Sequence, residues 1–235
     1  MMQAWTGTSG FQYPAWKGVF YPEKLPVSKM LPYYATQFPS TEINYSFRQI
    51  PSAKTISAWA AATPEEFKFS FKAPQKVTHF AKLRHSEGTV AALHEAIAPL
   101  GAKLGLVLFQ LPATFKKDAP LLEDFLGGLP AGLKAAFEFR DASWLDDEVY
   151  AVLKAHNTAL CIAESEEFET PAEVTADFGC LRLRREDYTP AQVKKWAAWV
   201  RGQKRHWGDA FVYFKHEDTG IGTAFAKQFL AAMAG

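Results

Sequence analysis

Polar and apolar positions alternate along several strand-like segments of the chain. Glu138 and Arg140 are two residues apart, so an extended backbone places both charges on one face and the intervening Phe139 on the other. Strands with one apolar and one charged face predict a closed barrel, with helices over the apolar face and charges in the lumen. Because burying charge is costly unless the charge is paired or used, the pattern also predicts a site. Three further segments repeat the alternation: 41–47, 67–72 and 181–184.

Strand-like and helix-like segments follow one another almost to the end of the chain. About eight such units in 235 residues predict one domain of the α/β class, a TIM-type (β/α)8 barrel spanning residues 1–235. The sixth helix is expected to be degenerate, because segment 165–177 is polar and contains Pro171. A doubly wound open sheet is the alternative, but both faces of such a sheet pack on helices and charge on one face is then unexplained. The predicted strands are 4–9, 41–47, 66–73, 104–111, 134–140, 158–164, 178–184 and 210–216.

Overall charge and cysteine content narrow the classes of partner. The net charge of +1 gives no global basic field, which argues against a nucleic-acid or anionic membrane surface as the main partner. Two cysteines in a chain of this length indicate a reducing compartment, and strand parity predicts Cys161 and Cys180 on different faces. Without an N-terminal leader or a long apolar run, we expect a cytoplasmic protein with no membrane span.

Short motifs recur along the chain: Gly7-Thr-Ser-Gly10 with Tyr13 and Trp16, Glu42-Ile-Asn44, Phe71-Lys-Ala-Pro74 with Thr78-His79, Leu108-Phe-Gln-Leu-Pro112, and Glu138-Phe-Arg140 with Ser143-Trp144. Together they resemble the Domain of Unknown Function 72 family, the YecE-like proteins, over essentially the whole chain. The resemblance implies a TIM-type barrel, in a family compared at fold level with metal-dependent endonucleases and sugar isomerases and without an agreed activity. The chain differs from the family pattern at Phe11, Arg48, Arg184-Arg185 and Lys215-His216.

Active sites of this fold lie where the strands end, so the polar residues at the strand ends are the candidates. Basic groups outnumber acids there, which predicts a bound anion, since arginine reads phosphate or carboxylate with two donors. Glu138, Glu42 and Lys72 are the candidate catalytic residues, for proton transfer or, for Lys72, an imine. A structural layer of ion pairs is the competing interpretation. The candidate substrate-binding residues are Asn44, Arg140, Arg182, Arg184, Lys215 and His79, and Glu164 is a further mouth carboxylate.

Other motifs carry weaker expectations. The aromatic side chains of Tyr13, Trp16 and Trp144 are expected either to stack on a ligand or to pack loops against the barrel. Segment 218–223 leads into a helix start that favours phosphate. Since the histidines are scattered, we predict no metal site and no cofactor.

Three hypotheses about function stay open at this point. The first is an enzyme that binds a small anionic molecule or phosphate at the barrel mouth. The second is a nucleic-acid-processing protein, which the near-neutral charge disfavours. The third is a ligand-binding barrel without catalysis. The oligomeric state is left open.

Overall fold

A computed structural model describes residues 2–165, 168–215 and 219–235. Strands and helices alternate along the described chain. The strands are β1 (Gln3–Thr8), β2 (Ser40–Ile43), β3 (Lys68–Lys72), β4 (Leu104–Gln110), β5 (Ala135–Glu138), β6 (Ala159–Glu164), β7 (Phe178–Leu183) and β8 (Asp209–Phe214). The α-helices are α1 (Met30–Ala35), α2 (Ala53–Ala61), α3 (Glu87–Ile97), α4 (Ala119–Gly127), α5 (Asp147–Ala155), α6 (Pro190–Gly202) and α7 (Ile221–Ala234).

The strands form one parallel sheet that curls into a nearly closed barrel. Its order is β1-β8-β7-β6-β5-β4-β3-β2, so the first and second strands meet at the seam. A single parallel bridge between Ser9 and Glu42 joins them, and the Gly10 N–H donates to the Glu42 carbonyl at 2.7 Å. The close approach requires glycine in β1, because a Cβ on Gly7 would lie 1.8 Å from the Ser40 carbonyl oxygen. The predicted TIM-type fold is confirmed.

The connection between β6 and β7 lacks a helix in its described part. Residues 165 and 168–177 form irregular backbone with a bend at 176–177 and one antiparallel bridge, between Glu164 and Glu169. The prediction of a degenerate sixth helix is confirmed for these residues. The polar composition and Pro171 explain the result, since no apolar stripe is available to pack on the barrel.

Apolar residues fill two layers. Outside the sheet, Phe109 and Phe137 stack at 5.2 Å and belong to the larger buried cluster with the helices. Inside the barrel, a smaller cluster that includes Leu108, Ala136 and Phe211 fills the lumen below the mouth. Period-two alternation therefore sends Glu138 inward and Phe137 outward, as predicted. No helix in the described part of the chain has the length and apolar character needed to cross a membrane.

Several strands end earlier than predicted. The second strand ends at Ile43, and Tyr45–Phe47 forms a 3-10 turn instead of continuing it. The Ser46 hydroxyl donates to the Lys72 carbonyl at 2.6 Å, so it anchors this turn rather than a ligand. Because Asn44 lies beyond its strand, alternation no longer determines its direction.

The predicted faces of Cys161 and Glu164 are wrong. The Cys161 and Cys180 sulfur atoms lie 3.4 Å apart inside the lumen, as free thiols. The prediction for Cys161 depended on an inward Glu164, but that carboxylate points outward. It accepts from Tyr188 Oη at 2.6 Å and from Trp196 Nε1 at 2.7 Å. Since β6 is apolar on both faces, its sequence carried no reliable parity signal.

Candidate functional site

A buried ion-pair cluster lies at the mouth of the lumen. Arg182 on β7 donates through Nη2 to Glu42 Oε1 at 2.8 Å and through Nη1 to Glu138 Oε2. Ser9 donates to Glu42 Oε1 and lies 3.1 Å from Arg182 Nη2. The two glutamates are fully buried and Arg182 is 2% exposed. Three strands that are distant in sequence thus contribute two buried carboxylates and the one guanidinium that bridges them.

Two further arginines extend this cluster toward solvent. Arg140 Nε donates to Glu138 Oε1 at 3.0 Å, and Arg184 Nη1 lies 3.7 Å from the same oxygen. Burial would raise the pKa of Glu138, but the adjacent Arg182, Arg140 and Arg184 hold it at about 2. The Arg140 and Arg184 side chains are 33% and 23% exposed, so both retain access to solvent. Glu138 is therefore ionised at neutral pH and positions two guanidinium groups that solvent can reach.

A cavity of about 510 Å³ opens beside these arginines. It lies over the carboxyl ends of β5, β6 and β7. The small side chain of Ala163 leaves room there, and no helix covers this side in the described part of the connection between β6 and β7. Glu186 adds one carboxylate to the lining. Glu186 and Phe168 lie in irregular segments without periodicity, so no sequence pattern marked them as site residues. The described lining residues are Ala113, Glu138, Phe139, Arg140, Ala163, Ser165, Phe168, Arg184 and Glu186.

Lys72 and His79 lie next to the charge cluster. The Lys72 ammonium lies 4.0 Å from the centre of the Phe47 ring. Burial and the charge of Arg182 lower the pKa of Lys72 to about 8, against opposing effects of the glutamates. Burial and the charge of Lys72 lower the pKa of His79, whose Nδ1 lies 2.9 Å from Thr78 Oγ1. Lys72 therefore exchanges protons within reach of neutral pH.

The remaining predicted residues divide into three groups. Asn44 and Tyr13 line a second pocket, apart from the arginines. Lys215 follows β8, is half-buried, and donates its backbone N–H to Leu183 at 3.1 Å. His216 and Asp218 lie outside the described residues, and with them the first part of the predicted phosphate loop.

Trp16 and Trp144 do not form an exposed stacking platform. Trp144 is fully buried, stacks on Phe139 at 4.9 Å and donates Nε1 to the Phe115 carbonyl at 2.6 Å. Trp16 is 1% exposed and packs on Tyr21. The expectation that they stack on a ligand is wrong, because both rings pack their loops against the barrel. Among the described residues, no cluster of three or more His, Cys, Asp or Glu is placed to hold a metal ion.

The geometry defines a TIM-type barrel protein with a charged site at the carboxyl ends of its strands. The chain belongs to the family described as "Protein of unknown function DUF72", whose model matches residues 5–235.

Curated relatives and solved structures agree with this assignment. UPF0759 protein YecE of Escherichia coli K12 is 33% identical over 108 residues, 46% of this chain and 40% of that protein. UPF0759 protein YunF of Bacillus subtilis 168 is 31% identical over 138 residues, 55% of this chain and 49% of that protein. The chain thus spans less than half the length of these relatives.

Two crystal structures of family members share the fold along the whole chain. A DUF72 family protein from Thermotoga maritima superposes with a TM-score of 0.85 at 25% identity, covering 99% of this chain and all of that one. A DUF72 family protein from Enterococcus faecalis superposes with a TM-score of 0.81 at 19% identity, covering 100% and 96%. The likeness to the second protein concerns the fold alone.

Proposed function

We propose that this barrel is an enzyme that binds a small anionic substrate, bearing phosphate or carboxylate, between Arg140 and Arg184. The observation that carries the proposal is that three arginines share the single carboxylate of Glu138. One buried carboxylate orients Arg182, Arg140 and Arg184, so the two outer guanidinium groups retain unneutralised charge beside the cavity. Guanidinium groups presented in this way bind phosphate or carboxylate with charge-assisted hydrogen bonds.

The balance of charge at the described mouth favours an anion. Lys72, Arg140, Arg182 and Arg184 carry positive charge, whereas Glu42 and Glu138 are the buried carboxylates. Glu186 on the lining reduces the excess of positive charge without removing it. An anion that enters the cavity would compensate the positive charge that the carboxylates of the protein do not balance.

The roles of the three catalytic candidates differ. Glu138 is a poor proton acceptor, because a carboxylate with a pKa of about 2 is a weak base, and it serves to position the arginines. Lys72, with a pKa of about 8, is the favoured proton-transfer group. Glu42 is the second candidate, since its Oε2 is buried and lacks a hydrogen-bond partner in the described part of the protein.

A small substrate is favoured over nucleic acid. Two of the basic side chains on the loops beside the mouth are already paired: Lys116 with Asp141 at 2.6 Å, and Arg84 with Asp118 at 2.8 Å. Phosphate-backbone binding depends on several unpaired Lys or Arg groups along one stripe. These pairs remove charge from the surface where a strand of nucleic acid would lie.

Replacing Arg184 with glutamine is expected to weaken anion binding at least tenfold. Its loss removes a charge-assisted hydrogen bond, of the order of 1.5–3 kcal/mol, and about 1.4 kcal/mol is tenfold in affinity.

Inorganic phosphate and malonate would be titrated into the protein at low salt by calorimetry. The matched control is Arg205→Gln, which changes an exposed arginine outside the cavity lining and should leave affinity unchanged. Absence of binding to wild type, or equal effects of both variants, would refute the site. Tight oligonucleotide binding without phosphate binding would favour the nucleic-acid hypothesis.

Replacing Lys72 with arginine is expected to reduce turnover at least 100-fold while anion affinity changes little. Arginine keeps the positive charge but cannot release a proton near neutral pH, and general acid–base groups contribute about 10²–10⁴ in rate. Conversion of a panel of phosphorylated and carboxylated metabolites by each protein would be followed by NMR. The control is Lys154→Arg on the exposed face of α5, which should leave turnover unchanged. If wild type binds anions and converts none of the panel, the barrel is a binding protein rather than an enzyme.

A further inference from the structure

A second cavity lies on the same face of the barrel, on the opposite side of the cluster from the arginines. It has a volume of about 340 Å³ and sits between the loop after β1, the end of β2 and the helix α2. None of its described lining residues lines the arginine cavity. They are Gly10, Phe11, Gln12, Tyr13, Ile43, Asn44, Tyr45, Thr55 and Trp59.

The walls of this cavity are aromatic and carry no formal charge at neutral pH. Phe11 and Trp59 meet edge to face, with ring centres 6.3 Å apart, and Tyr45 is 50% exposed above them. The described lining includes no Lys, Arg, His, Asp or Glu. A charged ligand would lose its hydration here without gaining a counter-charge, whereas a flat ring would gain stacking contacts.

One polar group in this lining lacks a hydrogen-bond partner among the described residues. The Asn44 side-chain nitrogen is buried and makes no hydrogen bond to any residue that the structure describes. Asn44 precedes the 3-10 turn Tyr45–Phe47, but its side chain does not cap that turn. Burying an unpaired amide donor is unfavourable, and retained exceptions require an explanation. A hydrogen-bond acceptor on a ligand supplies one.

We propose that this cavity binds a neutral planar ring that carries a hydrogen-bond acceptor, either a carbonyl oxygen or a ring nitrogen, directed at Asn44. The volume lies near the lower end of the range of about 300–1,000 Å³ for small-molecule sites, so one ring with a short substituent fits and a large cofactor does not. The proposal stands apart from anion binding at the arginines, because it rests on different residues and on the absence of charge among the described walls.

Benzamide is a suitable probe, since it is flat, neutral and carries an amide carbonyl. Titration followed by ligand-observed NMR should show benzamide binding at least tenfold more tightly than benzoate, which is charged, or cyclohexanecarboxamide, which is not planar. Asn44→Asp, which removes the donors at nearly constant size, should weaken benzamide at least tenfold. Thr55→Trp should abolish binding by filling the cavity from α2.

The control variant is Ala151→Trp, on the exposed face of α5, which should leave benzamide binding unchanged. Phosphate is titrated into every sample. Wild type that binds phosphate but not benzamide overturns this proposal alone, whereas Asn44→Asp and Thr55→Trp should lose benzamide binding and keep phosphate binding. Circular dichroism verifies folding, and Asn44→Asp remains decisive if Thr55→Trp does not fold. Equal affinity for benzoate and benzamide, benzamide binding that survives Thr55→Trp in a folded protein, or no benzamide binding to wild type would each refute the site.

Discussion

Replacing Arg182 with alanine is expected to lower the free energy of unfolding by about 3–5 kcal/mol, because it leaves buried charge uncompensated. The guanidinium is almost fully buried and bonds both Glu42 and Glu138. Without it, Glu138 keeps Arg140, but Glu42 keeps only the hydroxyl of Ser9 among its described side-chain partners. The variant must then bury a nearly unpaired carboxylate or bind a proton there.

Urea denaturation of the wild type and of Arg182→Ala measures this loss directly. Arg205→Ala is the matched control, since that side chain is exposed and surface substitutions change stability by about 0.5 kcal/mol or less. A change below about 1 kcal/mol for Arg182→Ala would mean that the cluster contributes little to the fold.

Protonation of Glu138 at low pH is expected by itself to lower the free energy of unfolding by about 3 kcal/mol. The pKa of this carboxyl is about 2 in the folded protein and 4.5 ordinarily, so the fold favours the ionised form. The contribution is fully present above pH 4.5 and is lost as the pH falls through about 2. Each pKa unit corresponds to about 1.36 kcal/mol, and the shift is between two and three units.

The measurement is a set of urea denaturation curves between pH 2 and 6 for the wild type and Glu138→Gln. Asp141 and Asp209, whose pKa values are also lowered, titrate in both proteins, so the difference between the two curves isolates Glu138. That difference should shrink as the pH falls. A constant difference across the range would contradict the assigned shift.

The barrel and the core of its charge cluster could be predicted because strand periodicity is simple. Glu42, Glu138 and Arg182 lie in short segments, 41–47, 137–140 and 181–184, in which polar and apolar residues alternate, so parity sends them inward. The same argument failed for Glu164, since its strand is apolar on both faces. The partners that turn it outward, Tyr188 and Trp196, come from a later unit of the chain.

Residues beyond the strand ends were the least predictable. Asn44 could be assigned to the mouth but not to a particular cavity, because the strand stops one residue earlier. Similarly, the sequence around a tryptophan near a loop does not indicate whether its ring is buried or exposed. Trp144 is buried by Phe115 and Phe139, which reach it from other segments only after folding.

Glu42 belongs both to the seam between β1 and β2 and to the buried charge cluster. Its backbone forms the single bridge that closes the β1–β2 seam, and its side chain accepts from Arg182. Any ligand that binds the closed arrangement more tightly than an opened one must stabilise the seam by the same free energy. The residue that helps to form the charge cluster therefore also holds β1 against β2. Ligand binding at the cluster and closure of the barrel are thermodynamically linked.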